Sequence, residues 1–146
     1  ALSFTNNTDD MVKFNKILPA QKKIFKLETR EALKNFKMMT TKGNFFLLDR
    51  GDMSKDLNIE EIPIAQRFLF KNKRENTKIA IATNFLESMI EKPFPTRAEA
   101  NDIYSSLEMG ANVLVLAAET AIGKYPKECV EFLLRIIDRF KNQKNY

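Results

Sequence analysis

Short runs of apolar, β-favouring residues recur along the chain, and each is followed by a stretch with helical spacing. The runs are Leu2-Ser3-Phe4, Lys23-Ile24-Phe25-Lys26-Leu27, Phe45-Phe46-Leu47-Leu48, Ile79-Ala80-Ile81-Ala82-Thr83 and Val113-Leu114-Val115-Leu116. The last three are almost continuously apolar, as parallel strands covered on both faces must be. The rhythm of strand, helix, strand, helix predicts an α/β class built from parallel βα repeats with crossovers. Thr96-Arg97-Ala98-Glu99 has the spacing of a capping box and predicts a helix running to about Met109, with Gly110 as its stop. Pro126 predicts the first turn of a final helix, with Cys129, Leu133, Ile136, Ile137 and Phe140 on one stripe. That stripe makes Cys129 a core residue rather than a reactive thiol. Lys71-Asn72-Lys73-Arg74 is read as a helix end, where the helix dipole favours cations. The polar tail Lys141–Tyr146 is expected to fray.

Composition narrows the class. With 146 residues, 44% hydrophobic and 29% charged, the chain predicts a single globular domain over 1–146. A net charge of +5, from 24 Lys+Arg against 19 Asp+Glu spread along the length, gives no electrostatic footprint for a nucleic-acid or membrane partner. One Cys excludes an internal disulfide and a thiolate zinc cage. Six Met and the lack of a leader-like or ~20-residue apolar stretch predict a reducing, cytoplasmic setting. The absence of His removes an imidazole base, a Ser-His triad and a His-ligated metal. Any chemistry falls to carboxylates, Lys, Arg, hydroxyls and backbone amides.

Such groups cluster at the predicted strand ends, where parallel α/β proteins build their sites. Lys26 and Glu28 are two apart and share one strand face, with Leu27 on the other. The next strand ends in Asp49-Arg50-Gly51-Asp52, where Gly51 permits a tight turn that brings backbone N–H groups and the Asp52 carboxylate to the same rim. The strand after that ends in Thr83, whose hydroxyl both donates and accepts. Two converging carboxylates repel unless a cation lies between them, and hard oxygen ligands of this kind suit Mg²⁺ or Mn²⁺. A neighbouring Lys would offset the charge of a phosphate or enolate bound there. The plainer alternative is an ordinary Lys26–Glu28 ion pair beside a loop. Spacing alone favours that alternative, because Lys-x-Glu and Arg-Gly-Asp are weak motifs.

The longer motifs shift the balance. Glu87-Ser88-Met89-Ile90-Glu91-Lys92-Pro93-Phe94-Pro95-Thr96-Arg97-Ala98-Glu99 resembles the signature of the pyruvate kinase family. Leu47–Met53, Ala82–Glu87 and Ala118–Pro126 resemble its flanking motifs, and Lys26-Leu27-Glu28-Thr29 resembles a further one at the family's interval from Arg50. The resemblance spans nearly all of the chain, in order. It implies the C-terminal half of a TIM (β/α)₈ barrel, from the end of the fourth strand through the last barrel helix. A half-barrel leaves two open sheet edges, so the resemblance also implies self-association or a chain supplying the other half.

By the resemblance, Glu28 and Asp52 would hold Mg²⁺ or Mn²⁺, and Lys26 would stabilise the transferring phosphoryl group and the enolate. The amides of Gly51 and Asp52, with the Thr83 hydroxyl, would bind the carboxylate of phosphoenolpyruvate or pyruvate. ADP/ATP would be the second substrate. K⁺ is expected for the family, but its ligands come from the other barrel half. The chain departs from the family pattern at Asp49, where a small residue is usual, at Ala117-Ala118, which replace Ser-Gly, and at Asn84 and Ser54. Two readings of function follow. One is a glycolytic pyruvate kinase-like phosphotransferase, active only when the barrel is completed. The other is a non-catalytic half-barrel that keeps a metal and small-carboxylate pocket.

Overall fold

The computed structural model of the chain describes residues 1–142, so the expected fraying of 143–146 lies outside the described residues. Lys141 still belongs to the last helix, and Asn142 closes it. The chain divides into two compact units, Ala1–Ile81 and Ala82–Tyr146.

The first unit opens with Leu2, which forms a single parallel bridge to Phe25 rather than a strand. Phe4 interrupts the ladder: its φ of 49° lies in the left-handed region, and Thr5 rather than Phe4 donates to the Lys26 carbonyl, at 3.2 Å. Helix α1 (Thr8–Ile17) follows, its first turn capped by the Asn7 side chain, which accepts from the amides of Asp9 and Asp10. Then come β1 (Phe25–Leu27), α2 (Arg30–Met39), β2 (Phe45–Asp49), α3 (Arg50–Met53), a 3₁₀ turn (Ile59–Glu61), α4 (Ile62–Asn72) and β3 (Lys78–Ala82). Strands β1 and β2 are parallel, with Phe25 opposite Phe46, Lys26 opposite Leu47 and Leu27 opposite Leu48. Alternation sends Phe25, Leu27, Phe46 and Leu48 into a core shared with Met11, Phe36, Met39 and Leu69. Lys26 and Glu28 therefore emerge on the opposite face. Helix α4 ends within the Lys71–Arg74 run, as expected, with Lys71 in its last turn.

The second unit contains a 3₁₀ turn (Glu87–Ile90), α5 (Arg97–Glu108), β4 (Val113–Val115), a short α6 (Ala118–Ala121) and α7 (Pro126–Lys141). Neighbouring strands of the sheet follow chain order, β1-β2-β3-β4, and β3 carries the boundary between the units. The capping box at Thr96 and Glu99 forms as the sequence predicts, and Gly110, at φ 94°, takes the left-handed position after α5. Cys129 and Leu133 are buried, and Ile136, Ile137 and Phe140 are half-buried on the predicted stripe of α7. Among the described residues, no helix is long and apolar enough to cross a membrane.

Glu99 ties this unit together beyond its cap. Its carboxylate accepts from the Ser88 amide at 2.7 Å, the Ser88 hydroxyl at 2.5 Å and the Thr96 amide at 2.7 Å. Partial burial pushes its pKa up, but the donors of Ser88 and Thr96 outweigh that and hold it below the ordinary value of 4.5. A carboxyl lowered in the folded state contributes stability that is fully present above the unfolded value and is lost as pH falls through the folded one. Glu99→Gln is thus expected to cost about 1–2 kcal/mol at pH 7. The gap to wild type should narrow at pH 3 in urea-melting experiments; a gap independent of pH would contradict the carboxylate's role.

Candidate functional site

The site side chains of the first unit come from two strand ends. Glu28, one residue beyond β1, is 1% exposed, and its Oε2 accepts from the Phe4 amide at 2.5 Å. The left-handed turn at Phe4 therefore serves a purpose: it aims a backbone donor at a buried carboxylate. Oε1 lies 2.6 Å from Lys26 Nζ, yet no donor meets it in hydrogen-bond geometry. The distance makes this an ion pair, and the poor direction leaves one buried lone pair without a proper donor, which a cation can fill.

Continuing the β1/β2 register by one step sets Asp49 beside Glu28 on the same face. Asp49 Oδ2 is 3.0 Å from Lys26 Nζ, and Asp52 Oδ2 is 3.7 Å from it. The carboxylates of Glu28, Asp49 and Asp52 each offer an oxygen within 4.8 Å of the others. Lys55 Nζ pairs with the outer oxygen of Asp52 at 2.6 Å. Partial burial alone would depress the pKa of Lys26, but its contacts with Glu28 and Asp49 win and raise it well above the lysine norm. Lys55, ahead of any other group, holds the Asp52 carboxyl below the usual carboxylate range. Three carboxylates gathered within 4.8 Å of one another form a set of hard oxygen ligands that suits a divalent cation.

Two sequence expectations are corrected here. The Asp49–Asp52 segment is not a glycine-driven tight turn. Residues Arg50–Met53 form the one-turn helix α3, and Gly110 is the glycine with positive φ among the described residues. Asp49 caps α3, its Oδ1 accepting from the Asp52 amide at 3.3 Å, so that amide is already engaged. Thr83, placed at the end of a strand by the sequence, falls one residue past β3 with φ 72°, and Asn84 follows at 58°. Two consecutive left-handed residues bend the chain out of the sheet at Ala82.

Thr83 lies in the second unit, where its hydroxyl donates to the Ala82 carbonyl at 2.5 Å. The loop after it is anchored by Glu119, which is 2% exposed and accepts from the Leu86 amide at 3.1 Å and the Ala117 amide at 2.9 Å. Of the residues singled out from sequence, the first unit brings together Lys26, Glu28 and Asp52. Sequence reasoning named Asp49 only as a departure from the family pattern beside the site, and it missed Lys55. Placing Asp49 against Glu28 needed the β1/β2 register, whereas the i,i+3 spacing to Asp52 pointed to Lys55, two residues past α3.

The family model for the pyruvate kinase barrel domain matches residues 1–130. The pyruvate kinase of Thermotoga maritima is 38% identical over 141 residues, covering 93% of this chain and 30% of that protein. That of Methanocaldococcus jannaschii is 38% identical over 141 residues, covering 93% of this chain and 32% of its own length. That of Chlamydia muridarum is 34% identical over 152 positions, covering 100% of this chain and 32% of its own. The chain thus spans about a third of the length of the curated relatives it matches. The α/β class with a parallel sheet is that of a partial (β/α)₈ barrel.

Proposed function

We propose, from the premise that this chain belongs to the pyruvate kinase family, that Lys26, Glu28 and Asp52 form the metal and phosphoryl end of a phosphotransfer site. The reaction would move a phosphoryl group from phosphoenolpyruvate to ADP once the rest of the barrel is supplied. The observation that carries this reading is the buried Glu28 Oε1, lacking a directed donor, in a cluster of three carboxylates around one ammonium. Mg²⁺ or Mn²⁺ fits that donor set, with Glu28 and Asp52 as its ligands. When bound, the ion neutralises charge on the carboxylate and enol oxygens of the substrate.

The chain's own groups do the rest. Lys26, held charged by its carboxylate neighbours, lies where it can offset the transferring phosphoryl group and the enolate oxygen. Burial of Glu28 fixes one ligand in place, which is the positioning that phosphoryl transfer chiefly demands. The amides of Gly51 and Asp52 and the hydroxyl of Thr83 are assigned to the substrate carboxylate on the resemblance alone. K⁺ and nucleotide binding are assigned to the barrel half outside these residues, supplied by self-association or by another chain.

A second reading is favoured by Asp49, whose carboxylate already engages Lys26 and the Asp52 amide. On that reading the chain is a non-catalytic member that binds a divalent ion and a small carboxylate. The first test is Mn²⁺ titration followed by electron paramagnetic resonance. Wild-type chain should bind, and Glu28→Gln should weaken binding about a hundredfold or more, as loss of a buried charged ligand does. Equal affinity in the two would end both readings. Pyruvate released in a coupled assay with Mg²⁺ and K⁺, from this chain mixed with the other barrel half, would favour the phosphotransferase; Mn²⁺ binding without turnover would favour the binding protein.

A further inference from the structure

Asp49 occupies an unusual place for an acid. It is 9% exposed, it caps a helical turn through Oδ1, and its other oxygen meets the ammonium at the centre of the site. One carboxylate thus spans a backbone N–H at 3.3 Å and an ammonium at 3.0 Å. A small carboxylate or phosphoryl ligand arriving from solvent would need that same pair of donors. We propose that Asp49 is an internal occupant of the anion position, and that it sets the affinity and selectivity of this site for small anions. The inference rests on the metal-site reading above and deepens it.

The physical argument is competition and repulsion. Asp49 is tethered beside its donors, so an outside anion competes with a partner whose effective concentration is far above its own. An arriving anion also meets Asp49 within the same 4.8 Å cluster as Glu28 and Asp52, and like charges at that spacing disfavour it. A divalent cation takes its ligands from Glu28 and Asp52, and Asp49, already paired with Lys26 at 3.0 Å, changes its binding little. Wild-type chain therefore takes the cation readily and a dicarboxylate poorly. Asp49 carries the discrimination, because Lys26 and the Asp52 amide are otherwise suited to anions.

The test uses Mn²⁺ and oxalate, a small planar dicarboxylate, in calorimetric titrations of wild type, Asp49→Ser and Asp49→Asn. Serine keeps a side-chain oxygen for the α3 cap but is too short to reach Lys26. Asparagine keeps the cap acceptor and removes the charge, so it decides the matter if the serine variant does not fold. Both variants should bind Mn²⁺ at an affinity within about threefold of wild type, and Mn²⁺-loaded Asp49→Ser should bind oxalate about tenfold or more tightly than loaded wild type. Unchanged oxalate affinity in folded variants, with Mn²⁺ binding intact, would overturn this inference and leave the metal-site reading standing. Loss of Mn²⁺ binding in both variants would also overturn it, by making Asp49 a metal ligand. Failure of wild type to bind Mn²⁺ would remove the metal-site reading and this inference together.

Discussion

Lys26→Met is expected to destabilise the chain by about 3 kcal/mol, the lower end of the range for breaking a buried charge network by removing one partner. The lower end applies because the Lys26 side chain is 19% exposed. Methionine keeps the stem and its packing, so the loss is that of the ammonium. Glu28, fully buried at its side chain, would keep the Phe4 amide as a donor to one oxygen, and Asp49 and Asp52 would face it without the Lys26 ammonium between them. Lys55 does not replace Lys26, because it pairs with the outer oxygen of Asp52 from an exposed position. The same logic sets the sign of the metal effect. A cation that binds only the folded state adds RT ln(1 + [L]/Kd), about 2.7 kcal/mol at a hundredfold excess over Kd. Mn²⁺ should therefore restore most of the loss, and it should raise the urea midpoint of Lys26→Met more than that of wild type. If the variant is as stable as wild type without metal, or if Mn²⁺ shifts both midpoints equally, the ammonium is not the group that neutralises the cluster.

The parts of this site that were legible in the sequence are those governed by strand parity and local spacing. Lys26 and Glu28 had to share a face because they are two apart on a strand, and they do. The capping box at Thr96 and the stripe on the last helix were equally local, and both appear. What escaped is what depends on backbone states that many residues tolerate. A Gly in Arg-Gly-Asp suggested a tight turn, but a capping acid just before it started a helix instead. Phe4 and Thr83 adopt positive φ although neither residue type favours it, so nothing local announced the turns they make; only Asn84 belongs to a type that tolerates the left-handed region. Asp49 was legible as a departure from the family pattern, and its cap on the Asp52 amide is local, yet its contact with Lys26 needed the β1/β2 register, which no single strand encodes.

That register is itself held from the other face of the sheet, and Phe46→Ala is expected to weaken it at a cost of about 4 kcal/mol. Phe46 is fully buried. Its ring meets Phe36 edge-on at 5.3 Å between centroids and Phe25 at 5.9 Å, which couples β2 both to β1 and to helix α2. Truncation to alanine removes both ring contacts and leaves a cavity beneath the pairing of Phe25 with Phe46. Phe46→Leu keeps most of the volume and should cost about 1–2 kcal/mol. The consequence reaches the site because the two faces share one backbone. Slippage of β2 by a single residue would turn Asp49 away from Glu28 and put a core side chain in its place. Urea melting should show the lower midpoint in both variants, and Mn²⁺ affinity at low urea should fall in Phe46→Ala more than in Phe46→Leu. A large loss of stability with unaltered Mn²⁺ affinity would mean that the strand ends keep their register without the aromatic core, and that the cluster is positioned by the α3 cap and the Phe4 amide alone.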